Sequence, residues 1–210
     1  MECLTTQEHS DKWLEFLTPE ILRNRLISAS IYLAAFELLK DSIIDHPRSF
    51  FASGFDRNGP IVGSRYQEEI LTRNPSPLYA SLFWLQEFGA IDDTDLAVFE
   101  SLKKVRNRVA HEMHQLASGS APSRHASELP KLVALLRKIE VWWIMNVEIP
   151  TNPDFDDTTE IDEDGILPGP VMAVSLMADV ALGSEEEANR YLRAFREREP
   201  DAGGKSSRSK

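Results

Sequence analysis

The sequence predicts an all-α protein: a bundle of antiparallel helices followed by a smaller helical appendage. Three observations carry the prediction. Apolar residues recur at three- to five-residue intervals over long stretches, no stretch alternates with the two-residue period of a half-buried strand, and proline, glycine and capping residues punctuate the chain at helix-length spacing. With 210 residues, 42% of them hydrophobic, the chain is long enough to bury one sizeable core, and a second full domain would be crowded.

Trp13-Leu14-Glu15-Phe16-Leu17 predicts a short aromatic-rich helix that packs on the body. Thr18-Pro19 then opens a long one, with threonine at the cap and proline in the first turn. Its stripe of Ile21, Leu22, Leu26, Ile27, Ile31, Phe36, Leu39 and Ile43 suits a core helix, which His46-Pro47 should end. Three glycines and a proline between Ala52 and Gly63 predict a loop, and Ser64 to Leu71 a short helix. Asn74-Pro75-Ser76-Pro77 precedes a helix through Leu78, Leu82, Leu85 and Phe88. This helix also carries Tyr79, Phe83 and Trp84, so it is apolar nearly all round and is either central or faces a partner subunit.

Asp92-Asp93-Thr94-Asp95 supplies caps for the most regular helix, whose apolar positions Leu96, Phe99, Leu102, Val105, Val109, Met113 and Leu116 keep one face. Gly119 to Ser123 ends it, and Ser127 opens another through Leu132, Leu136, Ile139 and Trp143. Trp84, Trp142 and Trp143 are expected in the core or at a subunit interface. The bundle thus spans 1–149. An acidic linker follows at 150–169, then helices within 170–199 (Pro170 to Leu182 and Ser184 to Arg198), and a disordered tail at 200–210.

The single cysteine, Cys3, excludes an intrachain disulfide framework, and no apolar run is long enough to cross a bilayer. These features predict a cytoplasmic protein with no membrane partner. The formal charge of −11 argues against coating nucleic acid through the overall field, so an anionic ligand must be met by a local patch.

That patch is expected at Val105 to His114, where an arginine, an amide and two histidines share one helix. At about 100° per residue, Arg106, Asn107, His111 and His114 follow one another round one flank beside small Ala110, while Arg108, Glu112 and Gln115 fall on another facing water. An imidazole that moves a proton near neutrality and a guanidinium that grips two phosphate oxygens suit metal-free RNA cleavage, in which a 2′-hydroxyl attacks its own phosphodiester. Asparagine would orient the imidazole or the phosphate. Lys103, Lys104, Arg108, His114 and Arg124 would supply RNA-binding charge. The alternative is a flank of solvated, hydrogen-bonded side chains that stabilises a bundle.

Arg106-Asn107-Arg108-Val109-Ala110-His111 resembles the Arg-Asn-x-x-Ala-His form of the Arg-(x4–6)-His motif of HEPN domains. The resemblance covers roughly residues 18 to 147. It implies an antiparallel HEPN-like bundle, homodimerisation and metal-independent ribonuclease activity used as a toxin or in phage defence, with an antitoxin or sensor protein as partner. On that reading Arg106, His111 and Asn107 are catalytic. A weaker resemblance, to the mannitol operon repressor family, implies a catalytically silent helical regulator acting through protein contacts. No cofactor or metal is expected: His111 and His114 are three apart rather than the four of a helical zinc-protease site, and the EF-hand-like run from Glu160 has Val171 where the closing glutamate belongs.

Overall fold

A single 32-residue helix, α1 (Pro19–Phe50), is the axis on which the other helices pack. The computed structural model describes residues 13–57, 59–117, 123–155 and 160–198, so Cys3 and the tail at 200–210 lie outside the described residues. Pro19 occupies the first helical position, where its missing N–H costs nothing. Thr18 stands at the cap position, but its hydroxyl donates to the Leu14 carbonyl oxygen of the helical turn at 13–17, 2.7 Å away. The expected stop at Pro47 does not occur. The helix runs on to Phe50, because buried Pro47, the His46 ring stacked on Trp143 and the Phe50 ring packed edge-on to Trp143 hold that last turn against the body.

The predicted loop after α1 is a two-stranded antiparallel hairpin, β1 (Ala52–Asp56) and β2 (Gly59–Val62), closed where Asp56 pairs with Gly59. Gly59 has φ +113°, a conformation that favours glycine. Next come α2 (Ser64–Tyr66), which continues through a wider π turn at Gln67–Leu71, and α3 (Pro77–Glu87). Helix α3 is central, as its all-round apolarity demands, with Leu82, Trp84 and Leu85 buried and Phe83 at its margin. Gly89, at φ +78°, ends that helix region, and the Ala90 N–H returns to the Leu85 carbonyl at 2.8 Å.

Helix α4 (Asp93–His111) starts with a reciprocal capping box: the Asp95 N–H donates to the Asp92 carboxylate at 3.0 Å, and the Asp92 N–H to Asp95 at 2.9 Å. Its expected continuation to Leu116 is interrupted. Glu112 leaves helical geometry (φ −113°, ψ 25°), and a separate short helix, α5 (Met113–Ala117), follows and packs on α1. Helix α6 (Arg124–Trp143) begins before the expected Ser127 and takes Pro130 into its interior. It extends through a π turn at Ile144–Glu148 to Ile149–Thr151. Helices α7 (Gly169–Leu182) and α8 (Glu185–Arg198) form a hairpin, with Ser184 and Glu187 making the expected capping box. Val171 and Val174 of α7 belong to the same core as Tyr32, Phe36, Leu39 and Leu136, so α7 is part of the body.

The described chain is therefore all-α apart from one small hairpin, and none of its helices is long and apolar enough to cross a membrane. The expected acidic linker is anchored in its described part: the Arg137 guanidinium donates to the backbone oxygens of Glu163 and Asp164 at 2.9 and 3.1 Å.

A carboxyl and an imidazole are among the titratable groups buried between helices. Glu140 of α6, 5% exposed, accepts from His46 of α1 at 3.0 Å. Burial pushes its carboxyl up, but hydrogen bonds from His46 and Ser42 outweigh that and leave it below its ordinary value of 4.5. His125, 2% exposed, lies edge-on to Tyr32, and its Nδ1 has no partner. Burial holds its imidazole below the ordinary 6.5. Both groups have folded values below their unfolded ones, so each contribution is complete above the unfolded value and is lost as pH falls through the folded one. The loss begins below 6.5 for His125 and below 4.5 for Glu140. Lowering the pH from about 7 to about 5 is expected to reduce the thermal midpoint, and His125→Phe to flatten that fall. Calorimetry across this range checks it; an identical slope in both proteins would count against a buried neutral imidazole at this position.

Candidate functional site

The regular period of α4 turns Phe99, Leu102 and Val109 into the core. That phase puts Arg106 at the boundary with α1 and leaves Asn107, Ala110 and His111 exposed on one face, with Arg108 exposed as well. Ala110 carries no bulk there, so the backbone of α4 is open to close approach. His111 is the last residue of the helix, at the end where unpaired carbonyls accumulate. His114 is exposed on α5, beyond the break at Glu112, so a continuous helical phase does not relate it to His111. The same break leaves Glu112 half-buried where the sequence places it in water.

Arg106 is held from three sides. Its Nη2 donates to the Glu37 carboxylate of α1 at 2.7 Å, and its Nη1 approaches the Asn107 side-chain oxygen at 3.4 Å. The guanidinium carbon lies 6.0 Å from the centre of the Phe36 ring, and Nε is buried without a partner. Glu37 also binds Lys40, one turn further along α1. Hydrogen bonds from Lys40 first, and then from Arg106, hold the Glu37 carboxyl below its ordinary range, so it stays a carboxylate between two cations. Sequence reasoning missed Glu37 and Lys40. Both are 60 or more residues from the motif in sequence, and only the packing of α1 on α4 brings them in.

The expected basic residues fare differently. Lys103 is half-buried, its ammonium 4.6 Å from the centre of the Tyr79 ring and donating to the Tyr79 hydroxyl oxygen at 2.6 Å. That hydroxyl donates in turn to Glu100 at 2.5 Å, so the lysine is committed to a local network. Lys104 and Arg108 are exposed. Arg124 is exposed at the start of α6. Helices α4 and α6 run antiparallel: Lys138 meets the Asp92 and Asp95 cap, while the Tyr32 ring beside His125 donates its hydroxyl to the Leu102 carbonyl. Arg124 therefore belongs to the motif end of α4. The anchored acidic segment belongs to the other end, beside Arg137 and Gly89, about three turns of α4 from Arg106. Trp84 and Trp143 are core residues and Trp142 is half-buried against them. Among the described residues no group of three or more His, Cys, Asp or Glu side chains is gathered as a metal ion would require.

What the arrangement offers is an exposed imidazole about one and a half helical turns from a guanidinium whose one ionic partner is the half-exposed Glu37 carboxylate. The Arg106 and Glu37 side chains are 35% and 38% exposed, so solvent screens the pair and its contribution to stability is about 1 kcal/mol or less. Arg106→Ala and Glu37→Gln are each expected to lower the urea unfolding free energy by no more than about 1 kcal/mol with an unchanged slope. A loss of several kcal/mol in either would make the pair a structural element of the bundle. No family model, curated protein or solved structure matches this chain, so the reading of the site rests on its own residues.

Proposed function

We propose that the chain is a metal-independent endoribonuclease of the HEPN type that cleaves single-stranded RNA, of the kind that serves as a toxin or phage-defence effector. The observation that carries the reading is the open face of α4, where Asn107, Ala110 and His111 are exposed beside an Arg106 whose ion pair with Glu37 is half-exposed to solvent. In the step, His111 takes the proton of a 2′-hydroxyl, whose oxygen attacks the adjacent phosphorus. The bond to the 5′-oxygen breaks, that oxygen takes a proton, and the products carry a 2′,3′-cyclic phosphate and a 5′-hydroxyl. Arg106 binds the phosphate as negative charge builds on it, and Asn107 positions the guanidinium or the substrate. Lys104, Arg108 and Arg124 attract the strand.

Arg106 and His111 are separated by roughly 140° of rotation and about 7.5 Å of rise, too far to act on one phosphate from one side of one helix. A second copy of α4 about a two-fold axis supplies a second imidazole, one to accept and one to donate a proton. The competing reading, a catalytically silent helical regulator, is favoured by the Arg106–Glu37 pair itself, since a partnered arginine needs no substrate.

Labelled single-stranded RNA incubated with the purified chain in EDTA separates the two. Arg106→Ala or His111→Ala is expected to abolish cleavage, Arg108→Ala to reduce it less, and Glu37→Gln to strengthen RNA binding by freeing the guanidinium. Specific activity is expected to fall on dilution. No cleavage by any form, with RNA affinity unchanged in Glu37→Gln, would favour the silent regulator, and full activity in the Arg106→Ala, His111→Ala double variant would overturn the assignment of these two residues.

A further inference from the structure

The hairpin of α7 and α8 covers the core with one side and leaves another apolar face open. Val171 and Val174 are 5% and 1% exposed. Roughly on the opposite side of α7, Met172, Leu176 and Val180 recur every four residues, at 53%, 39% and 46% exposure. Helix α8 has a single apolar stripe of Ala188, Tyr191, Leu192 and Phe195. One edge of it meets α7, where the Tyr191 hydroxyl donates to Asp179 at 2.6 Å. The rest, Leu192 and Phe195, is 45% and 61% exposed. An amphipathic helix that spends half its apolar stripe on water requires a partner.

The charges of α8 say which partner fits. Glu185, Glu186 and Glu187 fill its first turn, while Arg193 and Arg196 stand exposed in its second half. A helix acidic at one end and basic at the other is complementary to itself reversed. If Leu192 of one copy packs on the small Ala188 of another in antiparallel register, Phe195 falls opposite position 185 and Glu185 lies beside Arg196. At about 100° per residue, Glu185 and Arg196 share one flank of the stripe, and antiparallel pairing about a two-fold axis sets like flanks against each other. A parallel pairing would oppose like charges.

We infer that this hairpin docks on the same hairpin of a second copy of the chain, α8 antiparallel to α8 about a two-fold axis near the middle of the helix. The inference uses no residue of the α4 site and holds whether or not the chain cleaves RNA. Each fourteen-residue helix is about 21 Å long, so the interface is a small one and its association is read at high protein concentration.

Sedimentation of the full chain at about 100 µM and low salt tests it. Leu192→Glu is expected to halve the measured mass. Arg196→Glu, which sets glutamate against glutamate, is expected to weaken association about fivefold or more, and adding Glu185→Arg to that chain to restore it. Circular dichroism verifies that each variant keeps its helix content. A wild-type chain monomeric under these conditions, a mass unchanged by Leu192→Glu, or a helical Glu185→Arg, Arg196→Glu chain that stays dissociated would overturn the inference; the last would point to a partner other than a second copy.

Discussion

Burial of one long stripe on α1 governs where everything else sits. Ala29, Tyr32, Ala35, Phe36, Leu39 and Ile43 are 3% exposed or less, and α3, α4, α6 and α7 each pack against this helix. Large and small residues alternate along the stripe, so Ala29 and Ala35 admit neighbouring helices closely while Tyr32 and Phe36 reach between them. Phe36 stacks on Phe99 of α4 at 5.8 Å, which sets the rotation of α4 about its own axis. Once that rotation is fixed, Val109 must point inward and Asn107, Ala110 and His111 outward. The chemistry-bearing face is therefore a consequence of core packing two turns earlier in the same helix.

The polar groups that the core retains sit where helices need register. Tyr32 spans from α1 to α4 by donating to the Leu102 carbonyl, and Glu140 spans from α6 to α1 through His46. An apolar contact tolerates sliding, but a buried carboxylate whose partner is removed is left uncompensated, so each such bond permits one alignment. The His46 ring is further fixed by stacking on Trp143 at 4.6 Å. This explains why α1 runs through Pro47: stopping there would carry Phe50 away from Trp143 while the bond it forfeits is a single backbone one.

What was legible in the sequence follows the same division. Local signals were reliable where one short-range interaction decides the outcome: the Asp92–Asp95 box, Pro19, Pro77, and the Ser184–Glu187 box all mark the ends they seem written to mark. They failed where tertiary contact overrides propensity, as at Pro47, which is carried inside a helix. The hairpin at Ala52–Val62 did have a signal, since Asn58-Gly59 is a strong hairpin dipeptide, but its strands are too short and too glycine-rich to show alternation. The break at Glu112 had none. At the site, the exposure of Asn107, Ala110 and His111 was readable from phase, whereas the engagement of Arg106 by Glu37 and of Lys103 by Tyr79 depends on which helices meet, and periodicity does not encode that.

The way Arg106 is held constrains any anion that reaches it. With Nε buried and unpartnered, the Nε side of the guanidinium is closed, and the fork left for a ligand is formed by Nη1 and Nη2. Those are the two nitrogens now turned to Asn107 and Glu37. A phosphate gripping both must displace the carboxylate and loosen the amide. The screened pair is worth about 1 kcal/mol or less, while a bidentate guanidinium–phosphate contact is among the stronger hydrogen-bonded arrangements. A ligand with two suitably spaced oxygens would satisfy both nitrogens, which a monodentate anion would not. Lys40 is already bonded to the same carboxylate, and it retains Glu37 after Arg106 lets go. The displaced charge is thereby held on α1, leaving the guanidinium as the uncompensated cation at that point of an otherwise acidic chain.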